Sequence, residues 1–146
     1  MSDLGPEQQG LVDALEAEYA AVFAYGVVAA FSNPTRADLV ASNTAAHRAR
    51  RDATIDALQA ASVTVPLPDP AYASPFPVTD AVSATRLAAQ AEIDTCVAWR
   101  SLIERSQSGG TREMGVQALT DAAVRLAMWQ QILGVTPSST AFPGQP

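Results

Sequence analysis

His47 is the only histidine in the chain, and it stands in the segment Thr44-Ala45-Ala46-His47-Arg48-Ala49-Arg50-Arg51-Asp52. An imidazole changes charge near neutral pH and is the commonest metal ligand among side chains. His47 could therefore be a metal ligand, a catalytic base, or a polar group held in a core, and its neighbours in space decide between these. It lies seven residues after Val40 and eight before Ile55, so a helix there turns it inward. Thr44 and Arg51 fall on the same face. Glu18 lies three after Leu15 and four before Val22, which points it inward on an earlier helix. Glu92 lies three after Ala89 and four before Cys96, at the edge of a third apolar stripe. Ionisable residues on apolar stripes are the informative ones, because charged side chains are almost never fully buried unless paired.

Two carboxylates and one imidazole could hold a single iron, manganese or zinc ion through Glu18, His47 and Glu92, with open positions for water. A two-metal centre of the ferritin-like kind needs a Glu from each of two helices and a Glu-x-x-His from each of the other two. Here Thr44 occupies the position three before His47, and the fourth helix offers only Gln130 on its stripe, Asp121 pointing away. That set has too few oxygen ligands for two metals. A metal-free network competes with the single metal: Arg48, Arg50 or Arg51 could bridge to Glu18 or Glu92 with two parallel hydrogen bonds. It would repel a cation from the same space. The metal-free network is the leading expectation, with no cofactor. Tyr25, two turns beyond Glu18, could join it through its hydroxyl.

Other chemistry has little support. There is no glycine-rich phosphate loop, and Cys96 is a lone cysteine on an apolar stripe, which suits a small core residue rather than a nucleophile. Tyr19, Trp99 and Trp129 at helical spacing suit a core or an interface. All nine basic residues are arginine, and the net charge of -6 disfavours a nucleic-acid partner.

The elements that must position these residues are four helices, at about 6–31, 34–61, 80–106 and 111–133, with an extended tail over 134–146 and a single domain over 1–146. Pro6 suits the first turn of helix one, and Asn33 with Pro34 suits the start of helix two. Thr79-Asp80 suits the start of helix three. The apolar stripes run through Leu11, Leu15, Val22 and Val28 or Ala29, then Val40, Ile55 and Leu58. They continue through Val82, Ala89, Ile93, Cys96 and Ile103, and through Val116, Leu119, Ala123, Leu126, Gln130 and Leu133. Between helices two and three, "SVTVPLPDPAYASPFPVTD" holds five prolines, which exclude a helix. A helix of about 25 residues is ~38 Å long. About 17 residues of polyproline conformation reach ~50 Å, enough to run the length of the bundle. Two helical hairpins joined by one long crossover is the ferritin-like arrangement. An up-down-up-down bundle with a wandering loop is the alternative.

The segments "ALEAEYAAVFAYGVVAA", "AHRARRDATIDAL", "YASPFPVTD", "AEIDTCVAWRSLIE" and "TAFPG" together resemble the actinobacterial ferritin-like domain family of unknown function, DUF4439. The match runs from about Leu11 to Gly144. The resemblance implies an all-α ferritin-like bundle, no established activity, and signature positions at Glu18, His47, Arg51, Asp52 and Glu92. Many members carry Glu-His in helix one where this chain has Glu18-Tyr19, a departure that removes another possible imidazole.

The function expected on these grounds is a non-enzymatic structural or binding module, expected as a homodimer in which the tryptophans and the apolar Ala141-Phe142-Pro143 cover a partner surface. The alternatives are a metal-binding protein or metal-dependent oxidoreductase using Glu18, His47 and Glu92, and a small-ligand carrier with its pocket between Tyr72, Phe76 and the bundle. The start "MSDLGPEQQ" carries no signal-peptide pattern. The apolar run Tyr19 to Phe31 falls short of the ~20 residues of a membrane span. A cytoplasmic location with no membrane partner is expected.

Overall fold

The computed structural model describes residues 3–146 and contains four long helices, with no strand among the described residues. Helix α1 spans Pro6–Phe31, α2 Ala37–Ala60, α3 Ala81–Arg105 and α4 Gly109–Ile132. The local reasons follow the sequence. Pro6 opens α1, where its missing N–H is no loss. Asn33 accepts a hydrogen bond from the Thr35 backbone N–H at 3.0 Å. The turn it caps, Pro34–Arg36, is a tight 3-10 turn rather than the first turn of α2, which begins only at Ala37. Asp80 and Ser83 close a reciprocal capping box at the start of α3. Ser108 caps α4, and the Glu7 carboxylate accepts from the Gln107 and Ser108 N–H groups, both at 2.8 Å. Those bonds fix the start of α4 to the start of α1.

Helix directions follow from named contacts. Gly10, near the start of α1, lies against Leu102 and Arg105 at the end of α3, and Asp13 pairs with Arg105 at 2.8 Å. A Cβ on Gly10 would meet Leu102 Cδ1 at 2.9 Å, so a glycine lets the two helices close. At the other end of α1, the Tyr25 hydroxyl meets Asn43 near the start of α2. Helices α2 and α3 are thus both antiparallel to α1 and parallel to each other. Residues 61–80 must run the length of the bundle, which is the expected crossover. Tyr19 ties that crossover down by donating to the Pro66 carbonyl at 2.9 Å.

The core divides into two apolar clusters. One is built on Leu11, Leu15, Leu58, Trp99 and Leu102, the other on Val28, Val40, Leu87, Leu126 and Trp129. Glu18, His47 and Glu92 lie buried between them. The phases of α3 and α4 differ from the sequence expectation. Val82, Ile93 and Val116 are exposed, at 54%, 37% and 48%. The inward faces are carried by Ala84, Ala88, Glu92 and Trp99 on α3, and by Gly115, Ala118, Ala122 and Trp129 on α4. Small residues let these helices approach closely, and the larger branched ones are left outside.

Helix α1, 26 residues long, contains a stretch long and apolar enough to cross a membrane by length and composition alone, which the shorter run Tyr19 to Phe31 does not suggest. In the bundle its inward face is used instead for the core and for Glu18.

Candidate functional site

Each of the four helices sends one acidic or basic side chain to the middle of the bundle: Glu18 from α1, His47 from α2, Glu92 from α3 and Arg125 from α4. His47 Nδ1 lies 2.6 Å from Glu18 Oε2, and Nε2 lies 2.6 Å from Glu92 Oε1. Arg125 Nε donates to Glu92 Oε1 at 2.8 Å and Oε2 at 3.0 Å. The second Glu18 oxygen accepts from Trp99 Nε1 at 2.8 Å. Tyr25 donates to Glu92 Oε2 at 3.4 Å and accepts from Asn43 Nδ2 at 3.2 Å and Trp129 Nε1 at 2.8 Å.

The protonation pattern follows from these roles. Both imidazole nitrogens face carboxylate oxygens, and a carboxylate only accepts. The ring therefore donates twice, as an imidazolium. Burial alone would favour the neutral ring, but the hydrogen bonds to Glu18 and Glu92 and their charges outweigh it, pushing His47 up to about 9. Burial likewise opposes the charge on Arg125, and Glu92 overrides it. Burial keeps Tyr25 a phenol far above its ordinary range. Two anions and two cations make the cluster neutral, so it can lie in a dry core without a further counter-ion.

The structure brings Glu18, His47, Glu92 and Tyr25 together, and Glu92 lies at the centre of its stripe rather than at its edge. The arginine does not come from helix two. Arg48 is exposed, Arg50 pairs with Asp121 at 3.2 Å, and Arg51 pairs with its neighbour Asp52 at 2.8 Å. The physical reason is the turn of α2: with His47 fully inward, positions one, three and four further on lie at the rim, where long side chains reach water. Asp52 is exposed, and its partner Arg51 is half-buried. Thr44 bonds the Val40 carbonyl of its own helix at 2.7 Å and takes no part in the cluster. Arg125 falls outside a stripe phased on Val116 and Leu119, whose only polar member is Gln130. The spacing Ala118, Ala122, Arg125, Trp129 carried the signal. Gln130 has a buried Oε1 with no hydrogen-bond partner among the described residues, so it makes no bond to the cluster. Cys96 is buried, and burial pushes its thiol up to about 12, which leaves it a core thiol at neutral pH.

The family comparison agrees with this architecture. The model of a domain of unknown function, DUF4439, matches residues 10–146. The chain belongs to this family. A solved structure of a conserved hypothetical protein, rv2844, from Mycobacterium tuberculosis is 38% identical, covers 94% of this chain and 97% of its own, and superposes with a TM-score of 0.87. A second, of ferritin like, diiron-carboxylate proteins from Bacillus anthracis str. Ames, is 16% identical with a TM-score of 0.70 over 87% of this chain and 94% of that one. At that identity it shows the fold alone, and the fold is ferritin-like. No curated protein matches the sequence.

A ferritin-like fold raises the question whether these DUF4439 residues suit a metal. A metal needs its donors to converge on one point. Here Glu18 and Glu92 hold opposite edges of the same imidazole, each nitrogen being engaged by a different carboxylate. Arg125 fills the remaining side of Glu92. Among the described residues no group of three or more His, Cys, Asp or Glu side chains is arranged to hold a metal ion. The donor set as folded does not fit one, and the guanidinium supplies the positive charge that a metal would otherwise bring.

Proposed function

We propose that this ferritin-like domain is a non-enzymatic structural or binding module in which a neutral ion cluster, Glu18–His47–Glu92–Arg125, holds the four helices together where di-iron proteins of this fold place their metals. The observation that carries this is the engagement of both His47 nitrogens by different carboxylates, with Arg125 closing Glu92. Buried charge in this arrangement fixes which helix faces meet, because any other register leaves an unpaired ion in the core.

The test is elemental analysis of untagged protein, followed by titration of Fe(II), Mn(II) and Zn(II) into wild type and His47→Ala while following the melting temperature. Substoichiometric metal and an unmoved melting temperature are expected. Near-stoichiometric metal, with a stabilisation lost in His47→Ala, would instead support the second reading, a single metal on Glu18, His47 and Glu92. One observation favours that second reading: all three side chains gather at one level of the bundle. It requires the imidazole to give up one carboxylate and Arg125 to swing away.

The carrier alternative has weaker support. A cavity lies between α1, α3 and the crossover, with the Tyr72 ring tilted against Phe23 at 5.6 Å between centroids, but its volume is about 90 Å³. That is below the ~300 Å³ at which small-molecule pockets begin. Phe76 packs onto the core instead of lining the cavity. Trp99 and Trp129 are fully buried in the core and cannot cover a partner, which corrects that part of the expected dimer surface; a homodimer remains the proposed assembly, through the exposed Phe142 of the tail with Val116, Val124 and Met128 of α4. A 15 kDa species in sedimentation at micromolar concentration would remove it. A cytoplasmic location is proposed with it, supported by the single buried cysteine.

A further inference from the structure

Arg125 uses only its inner nitrogen. Its Nε serves Glu92, while its two terminal nitrogens have no hydrogen-bond partner among the described residues. They are not sealed in. The one buried side-chain nitrogen or oxygen without a partner among the described residues is Gln130 Oε1, and the Arg125 side chain keeps 13% of its surface accessible. That surface opens on a pocket of about 330 Å³ between α2 and α4, lined by Ala46, Ala49, Arg50, Asp121 and Arg125. Arg50 therefore shares the pocket with Arg125. Its guanidinium carbon lies 5.9 Å from the centre of the Trp99 ring, and its Nη2 holds the exposed Asp121 at 3.2 Å.

We propose that this pocket binds a small oxyanion, a carboxylate or a phosphate, between the terminal N–H groups of Arg125 and the guanidinium of Arg50. The chemistry is that of the guanidinium fork, whose parallel donors match two oxygens of a carboxylate or phosphate. Four considerations support it. Arg125 is oriented from behind by Glu92, so its outward donors are already aimed. Asp121 shows that the outer wall accepts a carboxylate, and an exposed ion pair at 3.2 Å is held weakly enough for an incoming anion to displace it. The remaining walls are alanine methyls, which leave room without competing donors. The cluster behind is neutral, so an arriving anion meets the charge of Arg50, whose carboxylate partner, Asp121, is exposed. No bond is made or broken, since the site is one of recognition. The proposal deepens the binding-module reading and rests on it in one respect: Glu92 must hold Arg125 rather than a metal.

The test is calorimetric titration of the full chain, at low ionic strength and in chelator, with inorganic phosphate in one arm and malonate in the other. Trp99 fluorescence, which reports on Arg50 above it, is read in parallel. Saturable binding in either arm is expected. Arg50→Gln weakens it by about tenfold or more, through loss of a charged hydrogen bond. Asp121→Asn tightens it by roughly threefold, because the internal competitor is gone. Ala49→Leu, on the exposed rim of α2, blocks it while leaving every charge in place. A response in phosphate alone or malonate alone assigns the anion class. Non-saturable heats, or an affinity unchanged in both Arg50→Gln and Ala49→Leu, overturns the proposal as general salt screening. The chelator keeps the outcomes separable: metal found by elemental analysis refutes the metal-free reading, whereas a flat anion titration of metal-free protein refutes this one alone.

Discussion

Replacing His47 by glutamine keeps a hydrogen-bonding side chain of similar reach and removes the positive charge between Glu18 and Glu92. All three side chains are at most 1% exposed, so neither carboxylate can turn to water for compensation. Breaking a buried ion pair by deleting one partner costs about 3–5 kcal/mol. The raised pKa of His47 leads to a figure of similar size. Its folded value of about 9 against an ordinary 6.5 corresponds to about 3 kcal/mol, taking ~1.4 kcal/mol per unit. The sign is fixed by the direction. A group whose folded value is raised contributes fully below its unfolded value and loses that contribution as the pH climbs through its folded value. Wild type should therefore lose about 3 kcal/mol between roughly pH 6.5 and 9, and His47→Gln should lack that slope. At pH 6.5 the variant should melt roughly 10–15 °C lower, at about 3–4 °C per kcal/mol for a chain of this size. Circular dichroism melts and urea unfolding at pH 6, 7, 8 and 9 measure both quantities. A stability difference below about 1 kcal/mol at pH 6.5, or the same alkaline slope in both proteins, would refute a buried imidazolium.

Three further outcomes follow from the same contacts. Arg125→Met leaves Glu92 with His47 and Tyr25 only, and should lower stability by about 3 kcal/mol or more in urea unfolding. Tyr25→Phe strands the Asn43 and Trp129 donors together and should cost about 1–3 kcal/mol, with a change in Trp129 fluorescence. Gly144→Ala should detach the tail, because Gly144 has a φ of +80° and an added Cβ would lie 2.3 Å from the Cys96 carbonyl oxygen. Faster proteolysis after Thr140, with the melting of the bundle little changed, is the expected readout.

How much of this was legible in the sequence depended on which residues carried the pattern. The crossover was legible because five prolines exclude a helix and the segment is long enough to span the bundle. Glu18 and His47 were legible because leucine, valine and isoleucine flank them at helical spacing and fix the phase of α1 and α2. On α3 and α4 the inward faces are largely alanine and glycine, so the weight of Val82, Ile93 and Val116 pulled the inferred phase off the true face. That shift puts Glu92 at an edge and Arg125 off the stripe, and leaves the arginines next to His47 as the apparent cationic partners. Spacing also cannot show which atoms of a shared face meet. That Glu18 and Glu92 take opposite edges of one ring, the fact that separates an ion cluster from a metal site, exists only in three dimensions. The pocket behind Arg125 was invisible for the same reason, since α2 and α4 are joined by no local pattern.

The account stands on His47 being an imidazolium held by two carboxylates. The chain has a single histidine, so long-range proton–nitrogen correlation spectra of its ring need no assignment. Recorded from pH 6 to 10 on metal-free protein, both nitrogens should show the shifts of protonated imidazolium up to about pH 8, with a transition near 9. A neutral tautomer at pH 7, or one nitrogen moving on addition of one equivalent of Zn(II), would contradict it.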